Sequence, residues 1–274
     1  MKSNAPVILP REEYIEQEYL FKVLRERMPS TATQELLVLL QHEILASTQL
    51  PKAMAFMASS LRQTGTMADA MAHMAHYFTP FQTFIIHEAE CDEGHFDFQT
   101  ALQILEYEAK CRAESMAPPG MFLYQFEAIS RNRLHYHEGL EAVSNDPVFN
   151  EDWKRWILYV RRQLGVVDFA EMIYARSEYY PMATKREVTG VALFGEKEGR
   201  IACANRRKDP MYLFAALQRQ LNYPRVPHPE VNTNPEYTLP MLVRKIERLE
   251  AHLKLFEEET KGGIDITRFY VKDE

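Results

Sequence analysis

Seven of the nine histidines in this 274-residue chain lie between His42 and His137, interleaved with carboxylates. Imidazole with carboxylate is a donor set that holds zinc or a redox metal, so a metal site is the first chemistry to weigh. Asp69, His73 and His76 fall within about 60° of one another on a helix turning ~100° per residue. They oppose, however, the apolar face of Met67, Ala70, Met71, Met74 and Phe78. Thr66-x-x-Asp69 is also a capping signature, so a solvated polar face accounts for all three. His87 and Glu90 oppose Phe81, Phe84 and Ile85 in the same way.

Polar groups on apolar faces carry more information. Glu88 projects beside Phe81, Phe84 and Ile85, and Glu43 beside Leu36 and Leu40. On a helix read over Met121–Val143, Arg133 and His137 fall among Phe122, Phe126, Ile129 and Leu140. Buried alone, such groups would cost several kcal/mol, so they must find one another or a metal. One reading is an ion pair, Arg133 with Glu88 or Glu43. The other is a carboxylate-rich metal site between helices, with Glu43, Glu88 and His137 as ligands. Ferritin-like di-metal proteins build sites that way, but their Glu-x-x-His pairs do not occur here. An arginine in the cluster repels cations, which weighs for the ion pair.

Nucleophile and phosphate motifs are missing. There is no G-x-S-x-G, and the glycines of Gly195–Gly199 are not followed by Lys-Ser/Thr. Cys91, Cys111 and Cys203 are an odd number with no C-x-x-C pair, which argues against a thiolate zinc site or a disulfide framework. Residues 154–208 carry 12 basic and 6 acidic side chains, a local +6, whereas 1–137 carry 11 and 17, a local −6. Arg155 and Arg162 lie opposite the stripe Trp153, Trp156, Ile157, Val160 and Leu164, and Arg206-Arg207-Lys208 extends the basic segment. That charge suits an acidic protein surface. RNA is the weaker expectation, since interleaved aromatics and a nucleic-acid module are absent.

The elements that must position these residues are punctuated clearly. From Glu12 to about Tyr180 the chain reads as successive helices, stopped or started at Pro10, Thr31, Pro51, Gly65, Thr79-Pro80, Asp97, Gly120, Asp146 and Asp168. The uncharged stretch Ala70–Ile86 is 17 residues, short for a membrane span, and a second capping signature at Thr79–Gln82 divides it. Gly94-His-Phe-Asp-Phe98 and Gly165-Val-Val-Asp-Phe169 echo one another 71 positions apart. That spacing would suit helix-pair repeats, yet the tetratricopeptide consensus is absent, and Gly then Asp is how helices ordinarily stop and start.

After Pro181 the texture changes. Val188–Phe194 and Ile201–Ala204 are β-prone runs around Gly195–Gly199 and read as a hairpin over 188–204. A short helix at 210–221 follows, then a proline-rich connector at 223–240, for six of the 15 prolines fall in 210–240. A helix at 240–259 and a β-prone tail at 264–271 complete the reading. Leu242, Ile246, Leu249, Leu253 and Phe256 make a short heptad seam on that helix, which would either pair two chains or pack on its own module.

The expected fold is therefore mainly α. An all-helical domain of antiparallel helix hairpins, with a repeat-like reading open, spans 1–183; a small α+β module spans 184–274. With 46% apolar and 26% charged residues and net charge −7, the composition is that of a soluble globular chain. Met1–Arg11 lacks a basic segment followed by an apolar core, so cytoplasm is the expected address. The expected function is a non-enzymatic adaptor or scaffold without a cofactor. It would meet an acidic partner through Arg155, Arg162, Arg206, Arg207 and Lys208, with a homodimer through 240–259 as a further option. The alternative is a metal-dependent helical enzyme of the oxidoreductase class using Glu43, Glu88 and His137.

Overall fold

The computed structural model describes residues 7–91, 96–185 and 190–229, and every regular element among them is a helix. α1 is Arg11–Arg27, α2 Thr33–Leu40, α3 Leu50–Thr64, α4 Met67–His73, α5 Pro80–Glu90, α6 Phe98–Ala113 and α7 Pro118–Arg131. After them come α8 Tyr136–Ser144, α9 Glu151–Gln163, α10 Phe169–Ala175, α11 Tyr179–Thr184, α12 Glu196–Ala204 and α13 Pro210–Leu221. Successive helices pack on one another, as hairpins would, but the main partner of α1 is α6 rather than α2.

Local chemistry sets most of these ends. α3 stops at Gly65, whose φ of 78° is left-handed and suits a residue without Cβ. Thr79 and Gln82 form a reciprocal capping box at the start of α5, and Asp97, Asn150, Asp168 and Asp209 cap α6, α9, α10 and α13. At α4 the local signature fails. The Thr66 hydroxyl donates to the Asp69 side chain (2.7 Å), and neither caps the backbone. Instead Glu90, at the far end of α5, accepts from the backbone N–H groups of Met67 (2.6 Å) and Ala68 (2.9 Å).

Two expected elements are corrected. The single helix over Met121–Val143 is broken: α7 ends at Arg131, Arg133 takes φ 55°, and α8 begins at Tyr136. The break resets the helical phase, so residues beyond it no longer share the apolar face of α7. The hairpin over 188–204 is not formed: Glu196–Ala204 is α12, and Phe194 makes only one isolated bridge, to Ser177. The β reading treats Gly195-Glu-Lys-Glu-Gly199 as a loop. In the helix the same residues place Glu196 and Glu198 in the first turn, pair Arg200 with Glu196 one turn back, and bury Ala202 completely.

α13 matches the expected helix at 210–221, and residues 223–229 are irregular, as the prolines predict. α12 and α13 pack on α10 and α7, and the compact unit extends to Pro229, so the boundary expected after 183 falls inside it. The helix expected at 240–259, with its seam, and the tail at 264–271 lie outside the described residues.

One continuous core serves the unit. Its second half is an aromatic cluster in which Phe122 sits 4.9 Å from Trp156 and 5.7 Å from Trp153, while Phe126 lies 4.4 Å from Phe169 and 5.9 Å from Phe214. Such rings bury large apolar areas and prefer these tilted and edge-on arrangements. Tyr223 then closes the chain back on α7, donating to Glu127 (2.7 Å), and Asn132 donates to the Pro227 carbonyl (3.1 Å). Among the described residues no helix is long and apolar enough to cross a membrane.

Candidate functional site

The three residues weighed as metal ligands do not come together. Glu43 is exposed just after α2 and binds Arg27 (2.7 Å) and the Tyr19 hydroxyl (2.8 Å). Arg27 first, then Tyr19, hold its carboxyl below the ordinary value. Glu88 is buried on α5, yet its partner is His135 rather than Arg133 or His137. It accepts from the His135 backbone N–H (3.2 Å) and lies 2.9 Å from His135 Nδ1. Arg133 and His137 are exposed, because the break at Arg133 turns them off the apolar face. Neither expected ion pair forms, and among the described residues no three His, Cys, Asp or Glu side chains are placed to hold a metal ion.

The basic residues fare differently. Arg155 is exposed on α9 and pairs with Asp152 (2.8 Å); Arg162 is exposed in the last turn of the same helix. Arg206 lies over the Tyr174 ring at 4.7 Å and reaches Glu171 of α10 at 3.3 Å. Arg207 and Lys208 are exposed in the turn between α12 and α13, with Arg207 at φ 58°. The cap residue of α10 holds that turn. Asp168 accepts from the Ala170 N–H with Oδ1 (3.1 Å) and from the Arg207 N–H with Oδ2 (2.6 Å). One carboxylate thus starts α10 and moors Arg206-Arg207-Lys208 beside that helix start. Sequence reading identified these arginines and the cap, but not the bond that joins them.

It also missed the largest polar feature, a buried chain of hydrogen bonds through the first two-thirds of the unit. Glu13 of α1 accepts from the Gln49 N–H and from the Tyr77 hydroxyl, each at 2.7 Å. Gln17, one turn on, accepts from Gln82 Nε2 (3.1 Å), which also donates to Glu108 (2.9 Å). Glu108 accepts from Arg112 Nε (2.6 Å), and Arg112 forks onto Asp146, with Nη1 at 3.2 Å from Oδ1. Gln125 donates to Asp146 (3.0 Å), and Asp146 also accepts from the Val148 N–H (3.1 Å).

Gln17, Gln82, Glu108 and Gln125 have no exposed surface at all. Burial alone would lower the pKa of Arg112, but Asp146 and Glu108 outweigh it and hold the guanidinium charged, above its ordinary value. The signal in the sequence was the i, i+4 pairs Glu13/Gln17 and Glu108/Arg112. Gln82 was hidden by doing two jobs: its Oε1 closes the capping box while Nε2 enters the core. Enclosed in this way, the chain orders helices and has no room for a substrate.

Thiol chemistry has little support from the geometry. Burial pushes the Cys111 thiol up to about 12, where it is inert. Two larger clefts open on the surface: one of about 580 Å³ between α9 and α10, one of about 510 Å³ among α4, α5 and α8. No protein-family model, curated protein or solved structure matches the chain.

Proposed function

We propose that the protein is a non-enzymatic adaptor or scaffold that docks an acidic protein surface through one basic face. That face consists of the outer side of α9 and the turn between α12 and α13. The observation that carries the reading is the Asp168–Arg207 bond, since it fixes the turn bearing Arg206-Arg207-Lys208 to the start of α10, the helix that follows α9 in the chain. Exposed Arg162, Arg207 and Lys208 supply charge, while Arg206, stacked on Tyr174, supplies a fixed planar donor. Clustered cations of this kind speed encounter with an acidic partner and set its orientation. A reducing, cytoplasmic address belongs to the same reading, and no disulfide joins the described cysteines.

The test is fluorescence anisotropy with a labelled acidic peptide at low and moderate salt, beside a single-stranded RNA of equal length. Salt-sensitive peptide binding, weakened about tenfold by Arg162→Glu with Arg207→Glu and Lys208→Glu, is the expected result. Peptide binding that ignores the mutations overturns the reading. RNA binding tighter than peptide binding would replace it with general polyanion recognition.

A further inference from the structure

We propose that the groove among α4, α5 and α8 docks a basic amphipathic helix of a partner protein. The partner's apolar stripe would lie on the groove lining and its lysines or arginines at the acidic rim. The groove holds about 510 Å³ and is lined by Phe78 and Phe84, both buried, by Pro80 and by four alanines. Ala68 and Ala72 stand one turn apart on α4, Ala75 follows in the turn after it, and Ala142 belongs to α8. Side chains this small let another helix approach to the ~8–10 Å spacing of packed helices. A helix suits this surface better than an extended strand, because the described residues form no sheet whose edge could pair with one.

The packing of α8 on α5 shapes the groove. Gly139 permits that approach: a Cβ there would stand 3.0 Å from the Phe84 ring and 2.9 Å from Ile129 Cδ1. Glu138, Glu141 and Ala142 follow one another at helical spacing on α8, so a single edge of that helix brings two carboxylates and an alanine to the groove. Asp69, in the first turn of α4, supplies the third carboxylate.

The charge of the rim decides the sign of the partner. Asp69, Glu138 and Glu141 are exposed, and among the described residues no lysine or arginine lines the groove, so with His87 neutral the lining carries −3. Arg161 reaches Glu141 from α9 at 2.9 Å, and counting it leaves −2. The Asp69 side chain accepts from the Thr66 hydroxyl, a neutral donor that leaves its charge in place. Such a rim selects a cationic partner and speeds encounter, while the apolar lining supplies the area to be buried. The groove goes beyond the docking face proposed above, shares no residue with it and has the opposite sign. Together the two surfaces would let one chain join an acidic partner to a basic one.

The test is fluorescence anisotropy with the full chain and three labelled peptides. They are an amphipathic helix of Leu, Ala and Lys, the same pattern with Glu for Lys, and a scrambled Leu-Ala-Lys peptide without an apolar stripe. The first should bind with a Kd below about 100 μM and the other two at least about tenfold more weakly. Glu138→Lys, at an exposed residue, should weaken the first about tenfold, and raised salt should act in the same direction. Ala72→Trp, at an exposed position in the lining, should abolish binding while circular dichroism stays helical. Arg207→Glu with Lys208→Glu should leave binding unchanged, so this groove and the docking face can fail separately. Equal binding of the scrambled peptide, indifference to Glu138→Lys, or no binding up to about 1 mM overturns the proposal. Wild-type self-association in sedimentation that is lost in Ala72→Trp would give the groove to a second copy of the chain and overturn it as well.

Discussion

Arg112 of α6 and Asp146, in the turn before α9, meet as a fork on a carboxylate, with side chains only 3% and 0% exposed. Burying two charges is costly, and the pair is tolerated because each also has other partners, Glu108 for the arginine and Gln125 for the aspartate. Removing one member strands the rest. Arg112→Met should lower stability by about 3–5 kcal/mol in urea unfolding, because two buried carboxylates lose their cation. Adding Asp146→Leu and Glu108→Gln should recover most of the loss. A single mutant as stable as wild type would show that the network is not under this constraint.

Glu90 replaces a local cap with a long-range one. Glu90→Gln keeps one acceptor where there were two, and should cost about 1 kcal/mol, the scale of a lost N-cap. The effect should be local: the Met67 and Ala68 amides should exchange faster by NMR, while those of α6 hold. Burial raises the Glu90 pKa despite the two amide bonds, so the folded state holds the Glu90 proton more tightly than the opened one, and mild acid should not loosen these amides through this group.

The Cys111 thiol, pushed up to about 12 from 9.0 by burial first and Glu108 next, should resist a thiol reagent near pH 8 until the chain is unfolded. Cys91 and Cys203, both partly exposed, should react in the native state. The sign of the linkage follows. A raised folded pKa means the native state keeps a proton that the unfolded chain releases. Stability should therefore be intact below about pH 9 and fall between about 9 and 12. Tyr77 and Tyr223, raised by burial and by their bonds to Glu13 and Glu127, act in the same direction. Cys111→Ala should flatten this alkaline limb; an unchanged limb would place its origin in the tyrosines.

The heptad seam Leu242, Ile246, Leu249, Leu253 and Phe256 makes a prediction that rests on sequence alone. If it pairs two chains, Leu249→Glu with Leu253→Glu should convert a sedimenting dimer into a folded monomer. Aggregation or unfolding of that variant, or a wild type that is already monomeric, would assign the seam to internal packing.

How much could be read beforehand follows from the range of the interactions. Gly65, Thr79–Gln82, Asp97, Asp168 and Asp209 act within one turn of their own position, so the helix ends they set were legible. His137 left the expected cluster because one left-handed residue, Arg133, cancels the unbroken phase from Met121 to Val143, and Glu43 left it because α2 ends at Leu40 and leaves it exposed beside Arg27. The hairpin failed for a related reason. Ile201 and Ala202 are apolar in either secondary structure, and contact with the helical core decided between them. The moorings Asp168–Arg207 and Glu90–Met67 span 39 and 23 residues, and no local rule predicts a partner at that distance.

The buried chain from Glu13 to Asp146 also bears on how the molecule opens. A helix at the edge of a folded unit usually opens first, and α1, Arg11–Arg27, is the first helix of the described residues. Here Gln17 is tied to Gln82, 65 residues away, and through it to Glu108 and Arg112. Releasing α1 would strand buried amides and carboxylates in α5 and α6, so α1 has no inexpensive way to leave alone. Its amides should therefore exchange with those of α6, in a single cooperative opening. The same ties join parts of the chain far apart in sequence, so they close late in folding and act as a lock on an assembled helical core.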